Sequence, residues 1–179
     1  ALTGWNWVDR GGGRIGAMAI TDISVSVTRP RAREPGMAGA IALIAAAHKR
    51  ATALPTGAMV PELDVRLNQL SQGIPRGATV FLASSFDVAG PDCRAAIDRL
   101  ARRARLRVLL PRDAFELRPP RGVYPFFSAG RQGVAMIDEA AQAVEARLDF
   151  LKNPGVTLRI VDSDATDERL ATILREEAR

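Results

Sequence analysis

The sequence predicts an α/β protein, a Rossmann-like layer sandwich built on a mixed, mostly parallel sheet. From Ala78 onward, short apolar runs alternate with segments of helical periodicity, the order that gives parallel strands joined by covering helices. Two of those runs, Ala78 to Ser84 (ATVFLAS) and Leu106 to Leu110, are apolar throughout apart from Thr79, Ser84 and Arg107, the pattern of strands buried on both faces. Two further pairs of short runs, one near each end of the chain, read as hairpins and make the sheet mixed.

Taken in order, Arg14 to Thr21 and the alternating Ile23 to Thr28 read as two strands, with Asp22 at the tight turn between them. Pro30 and Pro35 close that hairpin. Met37 to Leu54 carries apolar residues at helical spacing with many alanines and stops at Pro55, so it reads as a helix. Pro61 sits where a helix-opening proline belongs, Leu63, Val65, Leu67 and Leu70 follow, and Gly73 and Pro75 end this second helix. After the Ala78 strand, Gly90 and Pro91 open a helix through Arg105, with Ala96, Ile97, Leu100 and Ala101 on one face. Pro111 to Gly122 is a proline-rich loop. Tyr124 to Ser128 and Gly133 to Ile137, separated by Ala-Gly-Arg-Gln, form a hairpin with an edge strand. Asp138 leads a long helix to Asn153, Val156 to Val161 is the last strand, and Asp167 to Glu177 the last helix.

Composition narrows the class. The 179 residues fit one domain, with 47% apolar and 25% charged, the balance of a soluble globular protein. That length buries roughly two-thirds of the unfolded surface, enough for a core without staples. Cys93 is the only cysteine, which excludes a disulfide scaffold. No apolar run approaches the ~20 residues of a membrane helix, since Met37 to Ala47 is broken by Gly39 and ends at His48. Membrane insertion and a secretory signal are therefore not expected, and the expected location is cytoplasmic. The net charge is +5, carried by 25 basic residues of which only Lys49 and Lys152 are lysines. Arg99, Arg102, Arg103, Arg105 and Arg107 cluster around one helix end, but no aromatics interleave with them to stack bases. Complementation of the helix dipole accounts for such a cluster, so no nucleic-acid partner is expected.

Few motifs carry chemistry. Gly11, Gly13 and Gly16 spell G-x-G-x-x-G, yet they precede a strand, whereas a dinucleotide site has its glycines after a strand and opening a helix. A Rossmann cofactor site is rejected, and no cofactor is expected. Cys93 falls in the first turn of its helix, where the dipole lowers a thiol pKa, but no histidine is placed to activate it. A buried, incidental cysteine is the better reading. His48, followed by Lys49 and Arg50, fits a solvated helix C-terminus. Asp162, Asp164 and Asp167 imitate the start of a calcium loop without its sixth-position glycine or twelfth-position glutamate, and the segment Asp164-Ala-Thr-Asp-Glu reads better as helix capping followed by acidic first-turn residues. Ser84, Ser85 and Asp87 lie just past the carboxyl end of a buried strand, where open α/β sheets place ligands. They are an incomplete candidate site for a hard cation such as Mg²⁺, or they cap the loop by satisfying its backbone groups.

Several phrases resemble the carboxyl-terminal half of the bacterial "domain of unknown function 58" proteins, relatives of the von Willebrand factor A domain. In that family a helix end like Leu-Ala-Trp-Ala leads to Gly-Asp-Arg-Val-Gly and an apolar strand. Here Gly4-Trp5-Asn6-Trp7 leads to Gly13-Arg14-Ile15-Gly16 and Ala17-Met18-Ala19-Ile20. The family's buried strand ends like Leu-Ile-Ser-Asp-Phe, matched by Leu82-Ala83-Ser84-Ser85-Phe86. The next strand runs into Leu-Pro and an acidic loop, matched by Leu109-Leu110-Pro111-Arg112-Asp113, Glu116-Leu117 and Pro119 to Gly122.

The resemblance implies a single von Willebrand A-type domain over residues 1–179. It also implies an upstream strand bearing Asp-x-Ser-x-Ser, the core of a metal-ion-dependent adhesion site, which this chain lacks. The expectation is a domain truncated at its N-terminus. The aspartate expected after Ser84 is replaced by Ser85, so a complete metal site is not expected. The missing strand belongs between the first hairpin and the Ala78 strand, so those strands must pair directly, borrow a strand from another molecule, or belong to a longer protein. For function, the resemblance implies a non-enzymatic interaction or adaptor module, a partner of MoxR-type AAA+ ATPases in complex assembly, with room for a homo-oligomer. The alternative from another class is a small metal- or phosphate-handling enzyme using Ser84, Ser85 and Asp87.

Overall fold

The computed structural model describes residues 4–5, 8, 13–21, 24–55, 60–113, 115, 120–128, 131–137, 148–162 and 164–176. Its contacts divide the chain into two compact units, Ala1–Val60 with Ala165–Arg179, and Pro61–Asp164.

The first unit begins with two short antiparallel pairs. β2 (Met18–Ile20) pairs with β3 (Val25–Val27), and β1 (Arg14–Ile15) with β4 (Arg31–Ala32). Between the two pairs, Thr28, Arg29 and Pro30 oppose only Gly16 and Ala17, so the ladder bulges. Thr28 bridges the gap: its hydroxyl accepts from the Ala17 N–H at 2.8 Å, and its own N–H donates to the Ala17 carbonyl at 2.9 Å. Gly16 fits there because a Cβ would lie 2.9 Å from the Thr28 carbonyl. Two of the sequence's clustered glycines thus serve strand geometry, Gly13 at φ +92° and Gly16 by close approach. The turn is closed by Thr21 N–H donating to the Ser24 carbonyl at 3.0 Å; Asp22 lies outside the described residues.

Helix α1 (Arg33–Thr52) starts four residues before the expected Met37. Pro35, read as closing the hairpin, sits in its first turn, where the missing proline N–H has no helical partner to lose. The helix buries Gly36, Met37 and Ala40, and is otherwise sustained by alanine propensity. At its end, the Thr52 hydroxyl donates to the His48 and Lys49 carbonyls, and Arg50 reaches Ser24 Oγ at 2.8 Å. His48 is exposed, as its position predicts.

The second unit holds α2 (Leu63–Ser71), β5 (Thr79–Ala83), α3 (Cys93–Arg103), β6 (Arg105–Arg112), β7 (Gly122–Ser128), β8 (Arg131–Ile137), a 3-10 turn at Asp149–Leu151 and β9 (Val156–Asp162). β5, β6 and β9 form the parallel sheet in that order, Val80 opposite Leu106 and Leu106 opposite Val156. On β6, Leu106, Val108 and Leu110 alternate inward and are fully buried against Ala96, Ile97 and Leu100 of α3. Burying each such side chain is worth about 1.5–3 kcal/mol, so this pairing of strand and helix anchors the unit. α2 packs beside α3, and Arg99 ties them by donating twice to Asn68 Oδ1, at 3.1 and 2.6 Å.

The α/β class is therefore as expected, but the sheet departs from the expectation in three ways. First, both hairpins stand as separate two-stranded ribbons, so the parallel sheet is not mixed among the described residues. Pro125 explains this on β7: without an N–H it suits an edge and not the interior of a sheet. Second, β5 is half-buried rather than enclosed on both faces, because it lies at the sheet's edge. Third, the late hairpin loop is shorter than Ala-Gly-Arg-Gln: Ser128 pairs with Arg131, leaving only Ala129 and Gly130 between the strands. Residues 138–147 of the expected long helix, Asn6, Trp7, Gly11, Glu116, Leu117 and Pro119 lie outside the described residues. Where description resumes, Asn153 ends the segment, its amide donating to Asp98 Oδ1 at 2.6 Å and its Oδ1 accepting from Gly155 N–H.

Back in the first unit, α4 (Asp167–Glu176) is opened by Thr166, whose hydroxyl accepts from the Arg169 N–H at 3.4 Å. Asp162 Oδ1 accepts from Asp164 N–H, a local turn rather than a calcium loop.

Candidate functional site

The carboxyl end of β5 feeds a loop that reaches α3 at Cys93, and Ser84, Ser85 and Asp87 lie on it. Ser84 extends the ladder by one bond, its N–H donating to the Leu109 carbonyl at 3.2 Å. Its hydroxyl accepts from the Phe86 N–H at 3.1 Å, while Ser85 Oγ donates to Asp87 Oδ2 at 2.5 Å. Phe86 takes a left-handed conformation, φ +60°, and its buried ring meets Phe150 edge-on at 5.6 Å. That packing holds a backbone conformation a phenylalanine rarely adopts. Each hydroxyl of the cluster thus has a partner inside the loop. For a divalent cation the three residues offer one carboxylate, and its Oδ2 already accepts from Ser85; one carboxylate is a weak anchor for such an ion. Among the described residues, no three His, Cys, Asp or Glu side chains converge closely enough to hold a metal.

The rest of the loop is braced from α2. Leu63 and Asp64, at the start of that helix, donate their N–H groups to the Val88 and Ala89 carbonyls at 2.9 and 3.1 Å. Donors that a helix start leaves orphaned are thereby satisfied. The Asp64 carboxylate, only 3% exposed, accepts from its neighbour's Val65 N–H at 2.5 Å and from the Asp92 N–H at 2.9 Å. Gly90, at φ +85°, is needed because any Cβ would press into that carboxylate. Beside it, Cys93 is 2% exposed, and burial first and the Asp64 charge second push its thiol up to about 11. The dipole effect weighed from sequence is overridden, and the thiol is held neutral. Asp64 went unnoticed in the sequence, where an acid in a first helical turn signals only dipole complementation.

Further along the same sheet edge, Arg112 of β6 lies in register with Asp162 of β9; Arg112 is buried and engaged, and Asp162 is half-buried. Two members of the basic cluster are likewise committed within the unit: Arg99 to Asn68, and Arg103 to the Ile74 and Gln72 carbonyls. Arg107 lies 5.7 Å over the Phe81 ring.

Among the described residues of the second unit, the most exposed apolar side chains lie on the β7–β8 ribbon. On one face, Val123 pairs with Met136 and Pro125 with Val134, and Val123, Val134 and Met136 are 64%, 68% and 77% exposed. The opposite face carries Tyr124, edge-on to Phe115 at 5.1 Å, and Phe126 lying over Gly133. Compared with protein-family models, curated proteins and solved structures, the chain matches none. No helix among the described residues is long and apolar enough to cross a membrane. A sequence signal for the ribbon was present in GVYPFFS, which is apolar on both faces although it reads as an edge hairpin.

Proposed function

We propose that this chain is a non-enzymatic protein–protein interaction module of the von Willebrand A type, docking through the β7–β8 ribbon. The observation that carries the reading is the face of Val123, Pro125, Val134 and Met136, four apolar residues in two cross-strand pairs, open to solvent. Soluble proteins seldom leave contiguous apolar surface uncovered except where something binds. Exposed Arg121 and Gln132 flank it, giving the apolar centre and polar rim of an interface. The resemblance to the domain of unknown function 58 proteins supports the same reading and suggests the partner, a MoxR-type AAA+ ATPase. Loop 84–92 lies in the same unit and serves structure: the Ser84 hydroxyl caps its backbone, the Ser85 hydroxyl is taken by Asp87, and Asp64 braces it. Titrating a purified MoxR-type ATPase into the chain in a calorimeter tests the reading. Saturable binding is expected, and a flat titration across nucleotide states would remove that partner.

A further inference from the structure

The two outer edges of the β7–β8 ribbon are not alike. Only Ala129 and Gly130 separate Ser128 from Arg131, and a two-residue hairpin closes on a hydrogen-bonded pair. By the period of two, Phe126–Gly133, Tyr124–Ala135 and Gly122–Ile137 are hydrogen-bonded pairs as well. Gln132, Val134 and Met136 therefore turn their backbone groups away from β7. Pro125 fits that phase: it lies opposite Val134, where its missing N–H faces outward and costs the ribbon no bond. Proline thus blunts the β7 edge. β8 has no such device, since Gln132 to Ile137 reads Gln-Gly-Val-Ala-Met-Ile, with neither charge nor proline. Among the described residues no strand pairs with that edge. The strand that the family resemblance adds upstream belongs beside β5 in the parallel sheet and has no place in this ribbon. A two-stranded ribbon with an uncovered apolar face is marginal by itself, and further strands are what stabilise it.

We propose that β8 pairs with β8 of a second copy of this chain, antiparallel about a two-fold axis at Val134. Parallel strands bond through different residues on the two sides, so a closed, isologous pair has to be antiparallel. Centred on Val134, the pairing sets Val134 against Val134 and Gln132 against Met136 of the second copy. Each is a hydrogen-bonded pair exchanging two bonds, so every outward donor and acceptor of the three residues is used. Between them the strands come closest, about 4.5 Å from Cα to Cα, and there Gly133 meets Ala135 of the second copy, two small residues. The Phe126 ring, which already lies over Gly133, gains the Ala135 methyl beside it. Charge is complementary too. In the sequence Arg131 opens β8 and Asp138 and Glu139 follow it, so antiparallel pairing turns a basic start towards an acidic end. Two ribbons become one four-stranded sheet, with Val123, Pro125, Val134 and Met136 of both copies on one face. The apolar docking face is thereby doubled, not covered. Pairing uses the β8 edge and docking uses that face, so either can fail without the other. A single strand edge buries less than a standard interface, so the dimer is weak, in the micromolar range.

Sedimentation equilibrium of the chain alone, from low micromolar to near-millimolar concentration, tests this. The mass is expected to rise from 19.2 kDa towards twice that value. Val134→Pro deletes the outward N–H at the two-fold axis and leaves the bonds to β7, so it should weaken association at least about tenfold with unchanged circular dichroism. If that variant loses its fold, Met136→Pro, further along the same edge, makes the same comparison. Val123→Lys changes the apolar face on β7 and leaves the β8 edge intact, so it should associate like the parent. Hydrogen exchange adds a direct reading: the Val134 amide should exchange fast in dilute protein and slow as concentration rises, while the Ala135 amide, bonded to β7, is protected throughout. A monomer at the highest concentration overturns the proposal. So does a dimer indifferent to both prolines, one abolished by Val123→Lys, or one in which the Val134 amide stays fast.

Discussion

Asp64, Gly90 and Cys93 meet where α2 braces the loop after β5, and each constrains the others. The Cys93 thiol is raised from 9.0 to about 11, burial first and Asp64 second. An unfolded chain releases this proton more readily than the folded one, so the residue's contribution to stability is complete below pH 9 and is lost as pH climbs towards 11. At pH 9, iodoacetamide should label the guanidinium-unfolded chain quickly and the folded chain slowly; equal rates would contradict a buried neutral thiol. Gly90 is the stricter constraint. Gly90→Ala meets both a left-handed backbone, worth about 1–2 kcal/mol, and the Asp64 carboxylate, so the urea midpoint should fall markedly. An unchanged midpoint would mean the brace is loose. None of this was legible in the sequence beyond Cys93 being a buried, incidental cysteine. A carboxylate's partner across 28 positions leaves no periodic trace.

Elements were more legible where hydrophobic period alone decides them. The α3 stripe of Ala96, Ile97 and Leu100 is a local pattern with one compact solution and was read correctly. β6, expected to be enclosed on both faces over Leu106 to Leu110, instead runs from Arg105 to Arg112 and alternates, with Leu106, Val108 and Leu110 buried and Arg107 and Leu109 half-buried. Pro35 was misread because proline is equally at home in a turn and in a first helical turn. β5 was misread because an apolar run states what a strand prefers, not whether neighbours arrive to cover it. Core and ribbon should respond oppositely to substitution. Ile97→Ala, at a fully buried position, should cost about 2–5 kcal/mol by denaturant unfolding. Val134→Lys, at a site 68% exposed, should stay within about 0.5 kcal/mol. Comparable losses at the two positions would place the ribbon in the folding core and remove it as a docking face.

At the scale of the whole molecule, the α/β class followed from the order of strands and helices, because connection rules act along the chain. How the strands distribute among sheets did not follow, since that depends on edges, and edges are set by single residues such as Pro125. The candidate site shifted for a related reason. Ser84, Ser85 and Asp87 were found by position at a strand end, and the structure shows their hydroxyls occupied by the loop itself. The ribbon was found only once exposure could be read residue by residue. The central claim, that the apolar ribbon face is where a protein partner docks, is tested most directly by calorimetric titration of a MoxR-type AAA+ ATPase into the parent chain and into the triple variant Val123→Lys, Val134→Lys, Met136→Lys. Binding to the parent and a loss of at least about tenfold in the variant, with circular dichroism unchanged, is the result predicted. Equal affinity for both chains would contradict it.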